Sequence, residues 1–277
     1  MDVRFTTDPA SYKQMSSADL RRLFLIDSLF APEKISLVYS DIDRSITGSA
    51  VPVKTRLQLM SSKKEMAAEF FAERREIGFI NIGGEGSIET DGKAHPMKHK
   101  DCLYVGRGTK EIFFASKDAA APAQFYFVSY PAHQVYPTTH ARFEDAETAP
   151  LGSLKDANKR TIYKYIHPRG IKSCQLVMGL TELAEGSVWN TMPPHTHQRR
   201  SEVYMYFNLP PNAMVLHLMG LPDDTRHIVM RDRQAVLSPP WSIHSGVATQ
   251  NYTFIWGMGG ENQVFDDMDG VEMPKLA

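Results

Sequence analysis

The sequence predicts a mainly β protein of two related sandwich or barrel halves, preceded by one short helix. Three observations carry this expectation. Short runs rich in Val, Ile, Phe, Tyr and Leu recur between turn residues along most of the chain. Helical periodicity is confined to one N-terminal stretch. Two strand entries in separate parts of the chain, Glu73-Arg74-Arg75-Glu76 and Gln198-Arg199-Arg200-Ser201-Glu202, also look like copies of one another.

Ser16 can cap the helix, with Asp19 three residues on favouring its positive end. Leu20, Leu23, Phe24, Ile26 and Phe30 then form an apolar stripe suited to packing on a sheet or a neighbouring subunit. Strand patterns follow at 35–39 and at 49–53, where Pro52 points to a sheet edge. Asp41, Asp43 and Arg44 between them read as a solvated turn with a local ion pair. Further strands are expected at 77–82, 87–90, 101–105, 111–115 and 124–130, with Asp91-Gly92 as a hairpin turn. Gly83-Gly84-Glu85-Gly86 opens no helix and reads as a β-turn, not a phosphate loop.

Residues 1–140 therefore form the first half, the polar stretch 141–160 with Pro150 and Gly152 a linker, and 161–277 the second half. Strands of the second half are expected at 173–182, 202–207, 213–218, 235–237 and 251–258. Residues 101–106 take the place in the first half that 234–239 take in the second.

With 277 residues and 42% hydrophobic composition, the chain can bury a sizeable core. A net charge of −1 and the lack of a basic arm give no general pull toward nucleic acid or anionic membrane. No apolar run approaches the ~18 residues of a membrane span, and the first residues contain no secretion-signal pattern. Cys102 and Cys174 sit in strand-like apolar contexts and read as buried free thiols, which fits a reducing cytoplasm.

The chemistry concentrates in Pro193-Pro194-His195-Thr196-His197-Gln198-Arg199-Arg200-Ser201-Glu202. On an extended segment, His195 and His197 point to the same side. Glu202 follows five residues after His197, and His244 is a fourth candidate donor. Three imidazoles and a carboxylate suit zinc, iron or manganese. Unrelated surface histidines are the plain alternative, but the prolines fixing the approach to the pair favour a metal. The first half has no H-x-H before its Arg-Arg-Glu and no match to His244, so only the second half would keep the chemistry.

This pattern resembles the cupin family, whose first motif is H-x-H followed by a glutamate and whose second is P-x-G-x-x-H. Here the second motif is Pro239-Pro240-Trp241-Ser242-Ile243-His244, with Trp241 where the family has glycine, and Leu209 stands at the first motif's downstream glycine. Longer runs resemble one branch of that family, the 5-keto-4-deoxyuronate ketol-isomerases. They include Trp189-Asn190-Thr191-Met192-Pro193, Trp241 to Gly246, Tyr252 to Met258, and Glu261-Asn262-Gln263-Val264-Phe265-Asp266-Asp267-Met268-Asp269.

The resemblance implies a bicupin, two cupin-like β-barrel or jelly-roll halves, with one Zn2+ per subunit on His195, His197, Glu202 and His244. It also implies a homohexamer and an aldose–ketose isomerisation of a small uronate through an enediolate. For the proton transfer Glu202 and metal-bound hydroxide are both candidates. Tyr204 and Tyr206 should share a face with Glu202 and are both candidate donors to substrate oxygens, with filling of the barrel the expected role of at least one. Arg199, Arg200 and Arg226 are candidates for the substrate carboxylate, with surface ion pairs as the alternative. His217 and His227 are read as packing or hydrogen-bonding residues. A dioxygenase using iron on the same ligands, or a non-catalytic sugar-binding bicupin, is the competing reading.

Overall fold

The computed structural model describes residues 1–277. Each half is a jelly-roll sandwich of one seven-stranded and one four-stranded sheet. The first large sheet runs, in spatial order, Asp2–Arg4, Lys34–Ser40, Ile46–Val51, Phe125–Pro131, Arg75–Asn81, Cys102–Val105 and Thr139–Ala141. The second runs Glu147–Leu151, Arg160–Ile166, Val177–Leu183, Thr253–Gly260, Arg200–Phe207, Gln234–Ser238 and Leu25–Ile26. The four-stranded sheets are Leu57–Gln58, Ile112–Ser116, Gly86–Thr90 and Lys93–Met97 in the first half. In the second half they are Trp189–Asn190, Ile243–Ala248, Val215–Leu221 and Asp224–Met230. The inner strands of the two halves thus repeat one order, as two cupin-like units, while the edge strands differ.

The large sheets pack back to back. Strand alternation sends Ile77 and Phe79 into the first sandwich with Phe114, Phe125 and Phe127. It sends Ile80, Tyr126, Val128 and Tyr130 into a core shared with Leu176, Met178, Val203 and Met205 of the second half. Both faces of the central strands are therefore buried, which is why 75–81 and 200–207 read as almost unbroken buried runs. The approach is close enough that a Cβ at Gly78 would come within 2.6 Å of Met178 Sδ.

Glu76 sits inside this interface with no exposed surface. Its carboxyl accepts the amides of Cys174, Gln175 and Leu176 at 2.7–2.9 Å and the Tyr104 hydroxyl at 2.8 Å. These three amides are spent on Glu76, so the strand expected from 173 begins only at Val177.

Several expectations about domain edges change. The stretch 141–160 is no free linker, because Glu147–Leu151 pairs along Arg160–Lys164 as the edge of the second large sheet. Pro150 is tolerated there because an edge strand leaves one side unpaired. Leu25–Ile26 crosses from the N-terminal segment to pair with Ala235 and Val236, so the chain's beginning caps the second half. Uncovered edges invite aggregation, and the second half closes one with this segment from outside its own span. Strand Ile46–Val51 is central, ending just before Pro52. Asp43 is half-buried and accepts the Ser201 amide at 2.9 Å, tying the first half to the strand that carries Glu202.

Helix Ser17–Phe24 carries the expected capping box between Ser16 and Asp19, and buries Leu20 and Phe24. Trp241 packs on Tyr12 and Phe24 at ring-centroid distances of 5.1 and 6.5 Å. The residue that departs from the family's glycine thus docks the N-terminal segment. The other departure, Leu209, is buried and follows Asn208, which takes the positive φ of 60° that a turn glycine would supply. Cys102 and Cys174 are free. No helix is long and apolar enough to cross a membrane.

Candidate metal centre

His195, His197, Glu202 and His244 converge inside the second sandwich, all buried, with ligand atoms within 4.8 Å of one another. Each arrives from a different local cause. His195 lies on the two-residue strand His195–Thr196, held against Asp269–Gly270. The His197 amide donates to the Pro240 carbonyl at 3.2 Å, tying the motif to the loop before His244. Glu202 points inward from the large sheet, and His244 from Ile243–Ala248 of the small one. The donor set therefore spans both layers of the sandwich.

The geometry fits a metal ion. His195 Nε2 lies 3.1 Å from His197 Nε2 and 3.0 Å from His244 Nε2. Glu202 Oε2 lies 3.3 Å from His197 Nε2 and 2.9 Å from His244 Nε2. Neighbouring donors around this ring stand 2.9–3.3 Å apart and the whole set lies within 4.8 Å, close enough for one ion about 2.0–2.2 Å from each to bridge them. His197 Nδ1 faces the Asp267 carbonyl at 2.7 Å. It must donate there, which leaves the lone pair of the neutral ring on Nε2, pointing at the cluster. Burial, reinforced by its neighbours His244 and His197, pushes the His195 pKa down to about 2, so the ring is neutral. Burial opposes the charge on Glu202, yet His244 and His197 beside it hold its carboxyl well below the usual range. A neutral His195 ring and an ionised Glu202 suit a divalent ion.

A cavity of about 200 Å3 opens onto this cluster. Its walls include His195, His197, Glu202 and Tyr204, the aromatic side chains Phe254, Trp256 and Phe265, and three polar residues, Thr181, Arg160 and Asp266. Tyr204 thus reaches the site. Tyr206 does not: it lies deeper, bonded to His217 Nδ1 at 2.8 Å, and fills the sandwich. Burial pushes His217 down to about 3, keeping it neutral, and His227 is exposed on Asp224–Met230.

None of the three arginines expected at the carboxylate lines the cavity. Arg199 forks onto Asp267 and Asp269. Arg200, 1% exposed, donates to the carbonyls of Val264, Phe265 and Asp267. Together they pin the 261–269 loop, which supplies His197's acceptor and the Phe265 and Asp266 wall. Arg226 donates to the carbonyls of Lys13 and Met15 and clamps the N-terminal segment. Arg160 and Asp266 were not singled out from the sequence. Arg160 ends a polar stretch, and only long-range pairing shows that the alternation Arg160, Ile162 faces the cavity.

In the first half, Ile77 pairs with Val105 where Glu202 pairs with Ser238. Counting back from each two-residue hairpin turn, Phe114 occupies the register position of His244. The phenylalanine cluster fills the space that the metal ligands line in the second half.

Comparison with known proteins agrees with this architecture. Residues 31–273 match the profile of the KduI/IolB family. The chain is 53% identical to a 4-deoxy-L-threo-5-hexosulose-uronate ketol-isomerase of Caldicellulosiruptor bescii, with 100% of both chains covered. It is 55% identical to the protein of that name from Lachnoclostridium phytofermentans, again over 100% of both. Among solved structures, an IolB-like protein of Salmonella typhimurium superposes with a TM-score of 0.71 at 14% identity, covering 90% of this chain and 96% of that one. Bacillus subtilis oxalate decarboxylase, a protein with Mn(II) centres, gives 0.55 at 10% identity, covering 79% and 70%.

Proposed function

The chain belongs to the KduI/IolB family, and from that premise we propose that it is a ketol-isomerase of pectin and uronate catabolism. It interconverts 5-dehydro-4-deoxy-D-glucuronate and 3-deoxy-D-glycero-2,5-hexodiulosonate. The observation that carries this reading is an intact three-histidine, one-glutamate set in a chain that matches named ketol-isomerases from end to end.

The reaction moves a carbonyl from the aldehyde carbon to its hydroxyl-bearing neighbour, so one proton leaves carbon, another returns to the adjacent carbon, and nothing is oxidised overall. We infer that His195, His197, Glu202 and His244 hold one zinc ion per subunit. When bound, it supplies Lewis acidity to sugar oxygens that take up negative charge. Phe254, Trp256 and Phe265 exclude water from the reacting end, which strengthens every charge interaction there. Tyr204 adds a hydroxyl beside Glu202.

Glu202 belongs to the ligand set, and a carboxylate that holds a metal is a weaker base than a free one. Asp266 is the other carboxyl group on the cavity wall, exposed and free of the ligand set. We place the proton transfer there. Asp266→Asn should retain the metal and lose about 100- to 1,000-fold in kcat, whereas Glu202→Gln should lose metal and turnover together. Metal analysis beside kcat checks both, and an Asp266→Asn enzyme within threefold of wild type would return the role to Glu202.

The first half, with Ile77 and Phe114 at the ligand positions, serves as scaffold in this reading. A cytoplasmic homo-oligomer, a hexamer by resemblance, is supported by the two free thiols and by the exposed apolar side chains of Phe5, Met60 and Val135. The function is tested by following the uronate by NMR in a closed vessel with an oxygen electrode. Isomerisation with no oxygen uptake is expected. Oxygen consumption matched to substrate loss would establish the dioxygenase instead.

A further inference from the structure

We propose that Arg160 anchors the substrate's carboxylate, an inference that rests on the uronate ketol-isomerase reading of the site. A uronate entering this cavity exchanges hydration of its carboxylate for protein donors, and a cation with unspent N–H groups must be there to receive it. Arg199 is committed to Asp267 and Asp269, and Arg200 gives its Nη1 and Nη2 to three carbonyls; Arg200 Nε is also unpaired, but Arg200 does not line the cavity. Arg226 is committed to the N-terminal segment. Arg160 is the arginine on the cavity wall.

Its guanidinium is only partly used. Nη1 donates to the Asn158 carbonyl at 2.9 Å, while Nε is buried with no acceptor. Buried donors are paired in the great majority of cases, so an orphan donor on a residue that lines a ligand cavity points to an acceptor on the ligand. The Nε–Nη2 edge offers the two parallel N–H groups that a carboxylate accepts side by side.

Arg160 opens Arg160–Ile166, and it lines the same cavity as Thr181, Tyr204 and Trp256. A carboxylate held there leaves the rest of the substrate in the cavity that His195, His197 and Glu202 also line. Arg160 acts by positioning and by selecting acidic sugars, with no part in the proton transfer.

The test compares wild type, Arg160→Ala and Arg160→Lys on the uronate and on a neutral analogue with a hydroxymethyl group in place of the carboxylate. Arg160→Ala should lower kcat/KM for the uronate on the order of 100-fold, mainly through KM. It should change the value for the neutral analogue less than threefold. Arg160→Lys, which keeps the charge but loses the fork, should recover part of the loss. An equal fall on both substrates with metal retained, or an unchanged KM for the uronate, overturns the proposal. If wild type does not turn over the uronate, the isomerase reading fails by itself. Calorimetric binding of D-galacturonate to wild type and Arg160→Lys then decides the anchor separately: equal affinities reject it, and weaker binding by the variant supports it.

Discussion

Replacing His244 by alanine is expected to abolish stoichiometric metal binding and to lower turnover roughly 1,000-fold or more, with the fold kept. The magnitude follows from losing several kcal/mol of charge stabilisation, each 1.36 kcal/mol being tenfold in rate. His244 is the only ligand from the small sheet, and its Nε2 touches both His195 and Glu202. Without it, the remaining donors come from one layer and its adjoining loop. The fold should survive because Phe114 fills the same register position in the first half, so that position does not need a polar side chain. Metal content by elemental analysis, with far-ultraviolet circular dichroism as the folding control, checks this. A variant that holds one equivalent of metal as tightly as wild type would show that the four residues are not the ligand set.

Glu76→Ala should destabilise the metal-free protein by about 3–5 kcal/mol, the usual cost of removing one partner from a buried charged network. In a chain of this size that lowers the midpoint of thermal unfolding by about 10 °C. The loss is large because four donors, three of them consecutive amides, are left buried without the acceptor that satisfies them. Glu76→Gln keeps the volume but turns one acceptor into a donor among donors, and should fall between the two. Thermal unfolding of chelator-treated samples measures both. A midpoint within 2 °C of wild type for Glu76→Ala would mean that the sheets hold together without this lock.

Glu76 also marks where sequence reading stops. Its Arg-Arg-Glu context was legible as an internal repeat, but its partners at 174–176 lie about a hundred residues on, and no local pattern announces them. The metal donors were legible because period-two alternation and a fixed spacing act locally: H-x-H needs only an extended backbone. Arg199 and Arg200 show the opposite case. Adjacent to the motif, they invite a substrate role, yet their acceptors on the 264–269 loop hold them as supports for the cavity wall. The strand at Glu147–Leu151 was hidden by Pro150, which signals a break unless the strand is known to lie at an edge. Arg160 was hidden for the same reason, since its facing depends on which strands flank it.

The central claim, that this centre runs the isomerisation through a bound metal, is tested most directly on one preparation of wild-type protein. Uronate equilibration is measured after removal of metal by chelation, and again after addition of one equivalent of zinc per subunit. The expected result is turnover at least 1,000-fold lower in the stripped protein and restored by the single equivalent. Full activity in protein shown by elemental analysis to be free of metal would contradict the account.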